Sequence, residues 1–130
     1  MTSKFTAVNI GVGMPAWMYL NQFGRIVNDA FGEYPFLVGS ATVSKQWRDV
    51  DVRLILSDEA FERICGQDES LRWQALCLAF SELGKQMTGL PIDFQIQQMT
   101  QANKTFPSQI RCALIGASHI LASEELVNAK

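Results

Sequence analysis

The sequence is poor in the residues that build zinc sites and disulfide frameworks. It holds a single histidine, His119, and three cysteines, Cys65, Cys77 and Cys112, which form no CxxC pair. An odd number of widely spaced cysteines in apolar surroundings is typical of reduced thiols in the cytosol. One histidine also argues against a zinc site. We therefore expect a cytoplasmic protein with neither zinc nor disulfides.

Long apolar runs and a surplus of basic residues are missing as well. No segment reaches the roughly 18 uninterrupted apolar residues that a membrane span needs, so we expect neither export nor insertion. The 11 Lys and Arg residues do not outnumber the 13 Asp and Glu residues, which excludes a broad basic surface for long nucleic acids. With 130 residues, 48% hydrophobic and 18% charged, the chain is predicted to form one globular domain.

One stretch, residues 34–56, combines an anion-binding pattern with a cation-binding pattern. An apolar run ends on Gly39 and Ser40, where backbone N–H groups can approach a ligand and a following helix would direct its positive end at an anion. Eight residues later, Asp49 and Asp51 alternate with valines as in a strand. Carboxylates on one face repel each other unless a cation lies between them, and oxygen ligands suit Mg²⁺. The stretch therefore predicts a phosphate site beside a magnesium site.

These residues resemble the signature of the nucleotidyltransferase superfamily that includes DNA polymerase beta. In that signature, hydrophobic-Gly-Ser is followed by Asp-hydrophobic-Asp-hydrophobic, and here the two parts are residues 38–40 and 49–52. The family also carries a third acidic residue between hydrophobic residues on a later strand, and Asp93 supplies it within the triplet IDF. The resemblance covers residues 34–97, about half of the chain.

The resemblance implies an α+β fold, a small mixed β-sheet of three to five strands covered by helices. It would be a minimal stand-alone nucleotidyltransferase domain spanning residues 1–130, with residues 34–97 as its motif-bearing core. Residues 1–13 contain Gly11-Val12-Gly13 but lack the third glycine of a dinucleotide loop, so they are predicted to be a flexible lead-in.

The activity implied by the resemblance is transfer of a nucleoside monophosphate from an NTP, such as ATP, to a hydroxyl group, with release of pyrophosphate. Asp49, Asp51 and Asp93 would be the catalytic residues and the ligands of two Mg²⁺ ions, which Mn²⁺ could replace. Gly39 and Ser40 would position the β- and γ-phosphates. The acceptor is unknown, and a protein or small molecule is favoured over tRNA. A homodimer or a small partner protein could complete the site.

Two basic residues are further candidates for phosphate binding, and each has a structural alternative. Lys45 could offset triphosphate charge or simply be solvated. Arg53 falls on the same strand face as Asp51, so it could contact a phosphate or form an ion pair that neutralises an aspartate. The pair formed by Asp49 and Asp51 has its own alternative, which is an edge-strand solubility device that faces solvent.

The residues after Gly-Ser depart from the pattern of small family members. Those members often continue with a small residue and Arg-Gly and often place Ser before the first Asp, whereas this chain has residues 41–43, ATV, and Arg48. This departure supports an alternative function, a catalytically weak or inactive module of the same fold, antitoxin-like or regulatory, that binds a nucleotide or a partner.

Apolar periodicity and turn residues predict the elements. They are a helix over 15–31, a strand over 34–38, one or two helical turns within 40–47, a strand over 49–56, a helix over 58–64, a longer helix from 68–70 to 88, a strand over 92–97, and a strand or helix within 110–121. The first helix is expected to bury Tyr19, Phe23, Ile26, Val27 and Ala30. The longer helix is expected to bury Leu71, Ala75, Leu76, Ala79, Phe80, Leu83 and Met87.

Overall fold

A computed structural model describes residues 11–115, which form one four-stranded mixed sheet with four α-helices. The elements are α1 (Ala16–Phe31), β1 (Phe36–Val38), β2 (Val50–Leu56), α2 (Asp58–Cys65), α3 (Leu71–Thr88), β3 (Ile92–Gln98), α4 (Met99–Thr105) and β4 (Cys112–Ala113). The strand order is β3-β2-β1-β4, in which β1 is antiparallel to both neighbours and β2 is parallel to β3. The predicted class, a small α+β domain, is confirmed at this level.

The amino-terminal segment is packed against the domain where it is described. The Gly11 N–H donates to the Ala41 carbonyl at 2.7 Å, and Trp47 Nε1 donates to the Gly11 carbonyl at 2.9 Å. Val12 is buried, and a side chain at Gly11 would collide with the Ser44 carbonyl. Gly11 and Val12 therefore belong to the core, whereas residues 1–10 of the predicted flexible lead-in lie outside the described residues.

Helix boundaries follow the capping signals in the sequence. Ser57 Oγ accepts from the Ala60 N–H at 3.2 Å and begins α2, and Ser70 Oγ accepts from the Trp73 N–H at 3.1 Å and begins α3. α3 ends at Gly89, whose φ of +73° suits a residue without a β-carbon. The segment over 110–121 is a strand at Cys112–Ala113. Residues 116–121 of that segment, which include His119, lie outside the described residues.

The core lies on one face of the sheet, where the alternation predicted for β2 and β3 is confirmed. Val50, Val52 and Leu54 are fully buried, and Phe94 of β3 makes an edge-to-face contact with Phe23 of α1. In α1 the buried face is rotated from the predicted one, because Leu20 is buried instead of Tyr19. Alternate residues of β2 and β3 therefore point to the opposite face, which is polar.

The buried apolar face predicted for the longer helix, α3, is wrong in part. Leu71 is 82% exposed, and Ala75 and Ala79 are exposed too. The helix packs so closely along β3 that a β-carbon on Gly84 would be 3.0 Å from the side chain of Ile92. Small and polar residues therefore occupy the contact; the buried residues of α3 are Cys77, Ser81, Gly84 and Thr88.

α3 covers the outer edge of β3 with side-chain hydrogen bonds at four-residue spacing. Ser81 Oγ accepts from the Phe94 N–H at 2.9 Å, and Cys77 Sγ accepts from the Ile96 N–H at 3.4 Å. Trp73 Nε1 donates to the Ile96 carbonyl at 2.7 Å. These bonds satisfy backbone groups that an edge strand otherwise leaves unpaired. They also fix β3, and hence Asp93, relative to the helix.

We expect Ser81→Ala to lower the free energy of unfolding by about 1–3 kcal/mol, because it leaves the buried Phe94 N–H without an acceptor. Urea denaturation measures the change. Ser108→Ala, at an exposed position, is the control and should stay within about 0.5 kcal/mol of wild type. Equal stability of both variants would contradict the edge-covering role of Ser81.

Candidate active site

Two of the three predicted carboxylates face each other across neighbouring strands. β2 and β3 run parallel with Asp51 opposite Asp93, so both side chains project from the polar face of the sheet. The Asp51 side chain is 28% exposed and that of Asp93 is 42% exposed. The two aspartates, separated by 42 positions in the sequence, thus form one partly buried acidic pair at the amino-terminal ends of β2 and β3.

Asp49 is placed differently from the prediction. The strand predicted over 49–56 begins at Val50, and Asp49 lies exposed in the bend just before it. Asp49 and Asp93 line one cleft of about 340 Å³. Asp49 therefore approaches the acidic pair from a loop and not from the strand face.

The glycine turn lies directly against Asp51. β1 ends at Val38, which pairs with Asp51, and the next four residues, Gly39–Thr42, form a single 3₁₀ turn. Gly39 has a φ of +78°, and a β-carbon there would be 2.6 Å from Asp51 Oδ2. The glycine is thus required both by the turn and by the carboxylate. The turn closes when Thr42 Oγ1 donates to the Gly39 carbonyl at 2.7 Å.

The helix predicted to start near Ser40 is only this 3₁₀ turn. Such a short element supplies no substantial helix dipole, since the dipole needs aligned peptide units over several turns. Ser40 is exposed beside the acidic pair. Contacts to an anion at this place would come from backbone N–H groups and the Ser40 hydroxyl.

Arg53 forms an ion pair with both aspartates. Its Nη2 lies 3.8 Å from Asp51 Oδ1 and 3.4 Å from Asp93 Oδ2. Its Nη1 donates to the Asp93 carbonyl at 2.6 Å and to the Val52 carbonyl at 3.2 Å. The Arg53 side chain is 13% exposed. Of the two possibilities left by the sequence, the structure shows the ion pair.

Burial raises the pKa of Asp51 above its usual value. The guanidinium of Arg53 offsets part of this rise, and the carboxylates of Asp93 and then Asp49 add to it. Because the pKa is higher in the folded state than in the unfolded state, charged Asp51 costs stability above the folded pKa. The cost fades as the pH falls through that value. A cation bound beside Asp51 would reduce this cost.

The donor chemistry of these residues fits magnesium, although they do not form a ligand cluster. Among residues 11–115, no three His, Cys, Asp or Glu side chains lie close enough to hold a metal ion. The cation beside Asp51 and Asp93 is the Arg53 guanidinium. Their oxygens are nevertheless the hard ligands that Mg²⁺ prefers.

The remaining candidate cation, Lys45, is exposed in the loop between the glycine turn and β2.

Sequence reasoning missed a second group of charged residues, Glu82 and Lys85 of α3, which line the cleft with Asp49 and Asp93. Lys85 Nζ lies 2.9 Å from Glu82 Oε2. No sequence signal marks these two residues, because their position depends on how α3 packs along β3.

Comparison of the chain with protein-family models, curated proteins and solved structures gave no match. Within the described residues, no helix is long and apolar enough to cross a lipid bilayer. Functional inference therefore depends on the side chains that the fold brings together.

Proposed function

We propose that the protein is a metal-dependent nucleotidyltransferase that moves a nucleoside monophosphate from an NTP to a hydroxyl group and releases pyrophosphate. One observation carries the proposal: Asp51 neighbours both other parts of the motif, Asp93 on one side and the turn at Gly39 on the other. Asp51 of β2 lies opposite Asp93 of the neighbouring strand β3. The carboxylate of Asp51 also lies against the turn at Gly39. A likeness to the polymerase beta-like nucleotidyltransferases requires Gly39 and Asp93 each to lie beside Asp51.

Asp49, Asp51 and Asp93 would hold Mg²⁺ or Mn²⁺. When bound, the ions neutralise triphosphate charge and lower the pKa of the acceptor hydroxyl. Backbone N–H groups at Gly39 and the Ser40 hydroxyl bind the β- and γ-phosphates and fix their position. The acceptor oxygen forms a bond to the α-phosphorus. At the same time the bond between the α-phosphorus and the oxygen that bridges it to the β-phosphorus breaks, and pyrophosphate leaves. Asp93, the more exposed partner of the acidic pair, accepts the hydroxyl proton.

The acceptor is expected to bind in the cleft between α3 and the start of β3. This cleft carries the carboxylates of Asp49, Glu82 and Asp93 against a single ammonium group, Lys85, which is paired with Glu82. Because Lys85 is already paired, the side chains that line the cleft offer no unpaired cation to a polyanion such as tRNA, which favours a neutral or cationic hydroxyl compound as the acceptor. Hence a protein side chain or a small molecule is the expected acceptor class.

Incubation of a cell extract with the protein and each NTP, labelled in its α-phosphate, tests the proposal. We expect Mg²⁺-dependent transfer of label to a product that resists nuclease, and loss of transfer with Asp51→Asn. Protease treatment then separates a protein acceptor from a small molecule. Absence of transfer from all four NTPs would count against the enzyme. A nuclease-sensitive product would count against the acceptor class.

A nucleotide-binding module without catalysis is the second candidate function. Arg53 already offsets one of the two negative charges of the acidic pair, and Asp49 lies in the bend before β2 and not on the strand, as would suit a site that does not organise metal ions. Such a module would bind an NTP and release no pyrophosphate. Measuring both quantities on one sample therefore separates the two functions.

A further inference from the structure

The guanidinium of Arg53 lies beside both carboxylates of the acidic pair. Its Nη2 is 3.8 Å from Asp51 Oδ1 and 3.4 Å from Asp93 Oδ2. A metal ion bound by these same two oxygens would come close to Nη2, and the repulsion between two cations opposes their binding together. Arg53 and a metal ion therefore compete for these oxygens.

Arg53 is held in place from a second direction. Nη1 donates to the carbonyl groups of Asp93 and Val52, so the guanidinium bridges β2 and β3 as well as their carboxylates. The side chain is only 13% exposed, which reduces the screening of its charge by solvent. A cation held in this way competes with metal ions more strongly than a mobile surface lysine would.

We propose that Arg53 is the resident counter-ion of the acidic pair and that a divalent metal binds only when Arg53 is displaced. The inference rests on the proposed function, since it takes Asp51 and Asp93 as metal ligands. Arg53 is a positioning residue in this scheme, because it controls the carboxylates. Because Arg53 must first be displaced, the nucleotide-free protein binds metal weakly. A triphosphate would favour metal entry by offering the displaced guanidinium an anionic partner.

Mn²⁺ binding to the nucleotide-free protein, followed by electron paramagnetic resonance of the free ion, tests the inference. Arg53→Gln should bind Mn²⁺ about tenfold more tightly than wild type, because the competing charge is gone. Arg53→Lys keeps a positive charge and should stay close to wild type. Arg25→Gln is the matched control, since it makes the same substitution at an exposed position of α1 away from the pair, and it should change the affinity less than about twofold.

Three results would overturn the inference in different ways. Equal or weaker binding by Arg53→Gln, with measurable binding by wild type, would refute displacement and leave the metal site standing. No Mn²⁺ binding by any variant, Arg53→Gln included, would remove the metal site and with it the proposed function. If Arg53→Gln does not fold, the guanidinium NMR signals of Arg53 in wild type supply the test. Saturating Mg²⁺ should shift them, and unchanged signals would refute displacement.

Discussion

Asp51→Asn is expected to abolish nucleotidyl transfer and at the same time to stabilise the protein. Transfer should fall by about 10³-fold, since the carboxylate at the centre of the site is lost. Stability should rise at neutral pH, because burial and two neighbouring carboxylates penalise charge on Asp51 by more than Arg53 offsets, and the amide carries no charge. A purely structural ion pair with Arg53 would give the opposite sign, a loss of stability.

The pH dependence strengthens this test. The stability difference between Asp51→Asn and wild type should be largest at neutral pH and should shrink as the pH falls through the raised pKa of Asp51. Urea denaturation at several pH values and label transfer provide the two measurements. A variant that is less stable than wild type, or that keeps its transfer activity, would contradict the assignment of Asp51.

Asp58→Asn is the matched control, because it should move stability in the opposite direction. Asp58 accepts hydrogen bonds from the Thr100 N–H at 3.1 Å and the Thr100 hydroxyl at 2.6 Å, and these bonds lower its pKa. A lowered pKa stabilises the protein above the unfolded value, and this contribution is lost as the pH falls through the folded value. Asp58→Asn should therefore destabilise at neutral pH and leave transfer unchanged.

Gly39→Ala has the second largest expected effect, because two separate costs meet at this position. An L-residue with a φ of +78° pays about 1–2 kcal/mol in backbone energy. The new β-carbon would also be 2.6 Å from Asp51 Oδ2, so either the turn or the carboxylate must move. A displacement of about 1 Å at the reacting groups lowers transfer by about 10²-fold. We expect losses of both stability and activity.

Gly89→Ala separates the two costs. Gly89 has a similar φ of +73°, but a β-carbon there meets nothing within 4 Å. It should lose stability by the backbone cost alone and keep full activity. Denaturation and label transfer of both variants complete the comparison. If Gly39→Ala were as active as Gly89→Ala, the contact between the glycine turn and Asp51 would have no role in the site.

The sequence predicted those parts of the fold that depend on local chemistry. Serines at 57 and 70 begin helices because their hydroxyl groups cap backbone N–H groups, and alternation in β2 and β3 places valines and Phe94 in the core. Capping and alternation need no knowledge of how distant elements pack. The meeting of Asp51 with Asp93 is different, because it was expected only if the strand over 92–97 lies beside the strand over 49–56, as it does.

Features that depend on tertiary packing could not be predicted in the same way. The apolar stripe of α3 was wrong in part: Leu76, Phe80, Leu83 and Met87 pack against the core, but the most buried positions include Ser81 and Cys77. These two residues satisfy the backbone of an edge strand, a task that hydrophobic periodicity does not encode. Asp49 was predicted to lie on a face of β2, and this prediction is wrong because β2 begins one residue later, at Val50. The ion pair between Arg53 and Asp93 could not be predicted from the sequence, because it depends on the distance between two strands.

Calorimetric titration of each Mg²⁺–NTP pair into wild type and into the double variant Asp49→Asn, Asp51→Asn tests the central claim most directly. The claim is that Asp49, Asp51 and Asp93 hold metal ions together with a nucleotide beside Gly39. It predicts saturable, Mg²⁺-dependent binding of at least one NTP by wild type and no such binding by the double variant. Equal binding by both proteins, or no binding of any NTP by wild type, would contradict it.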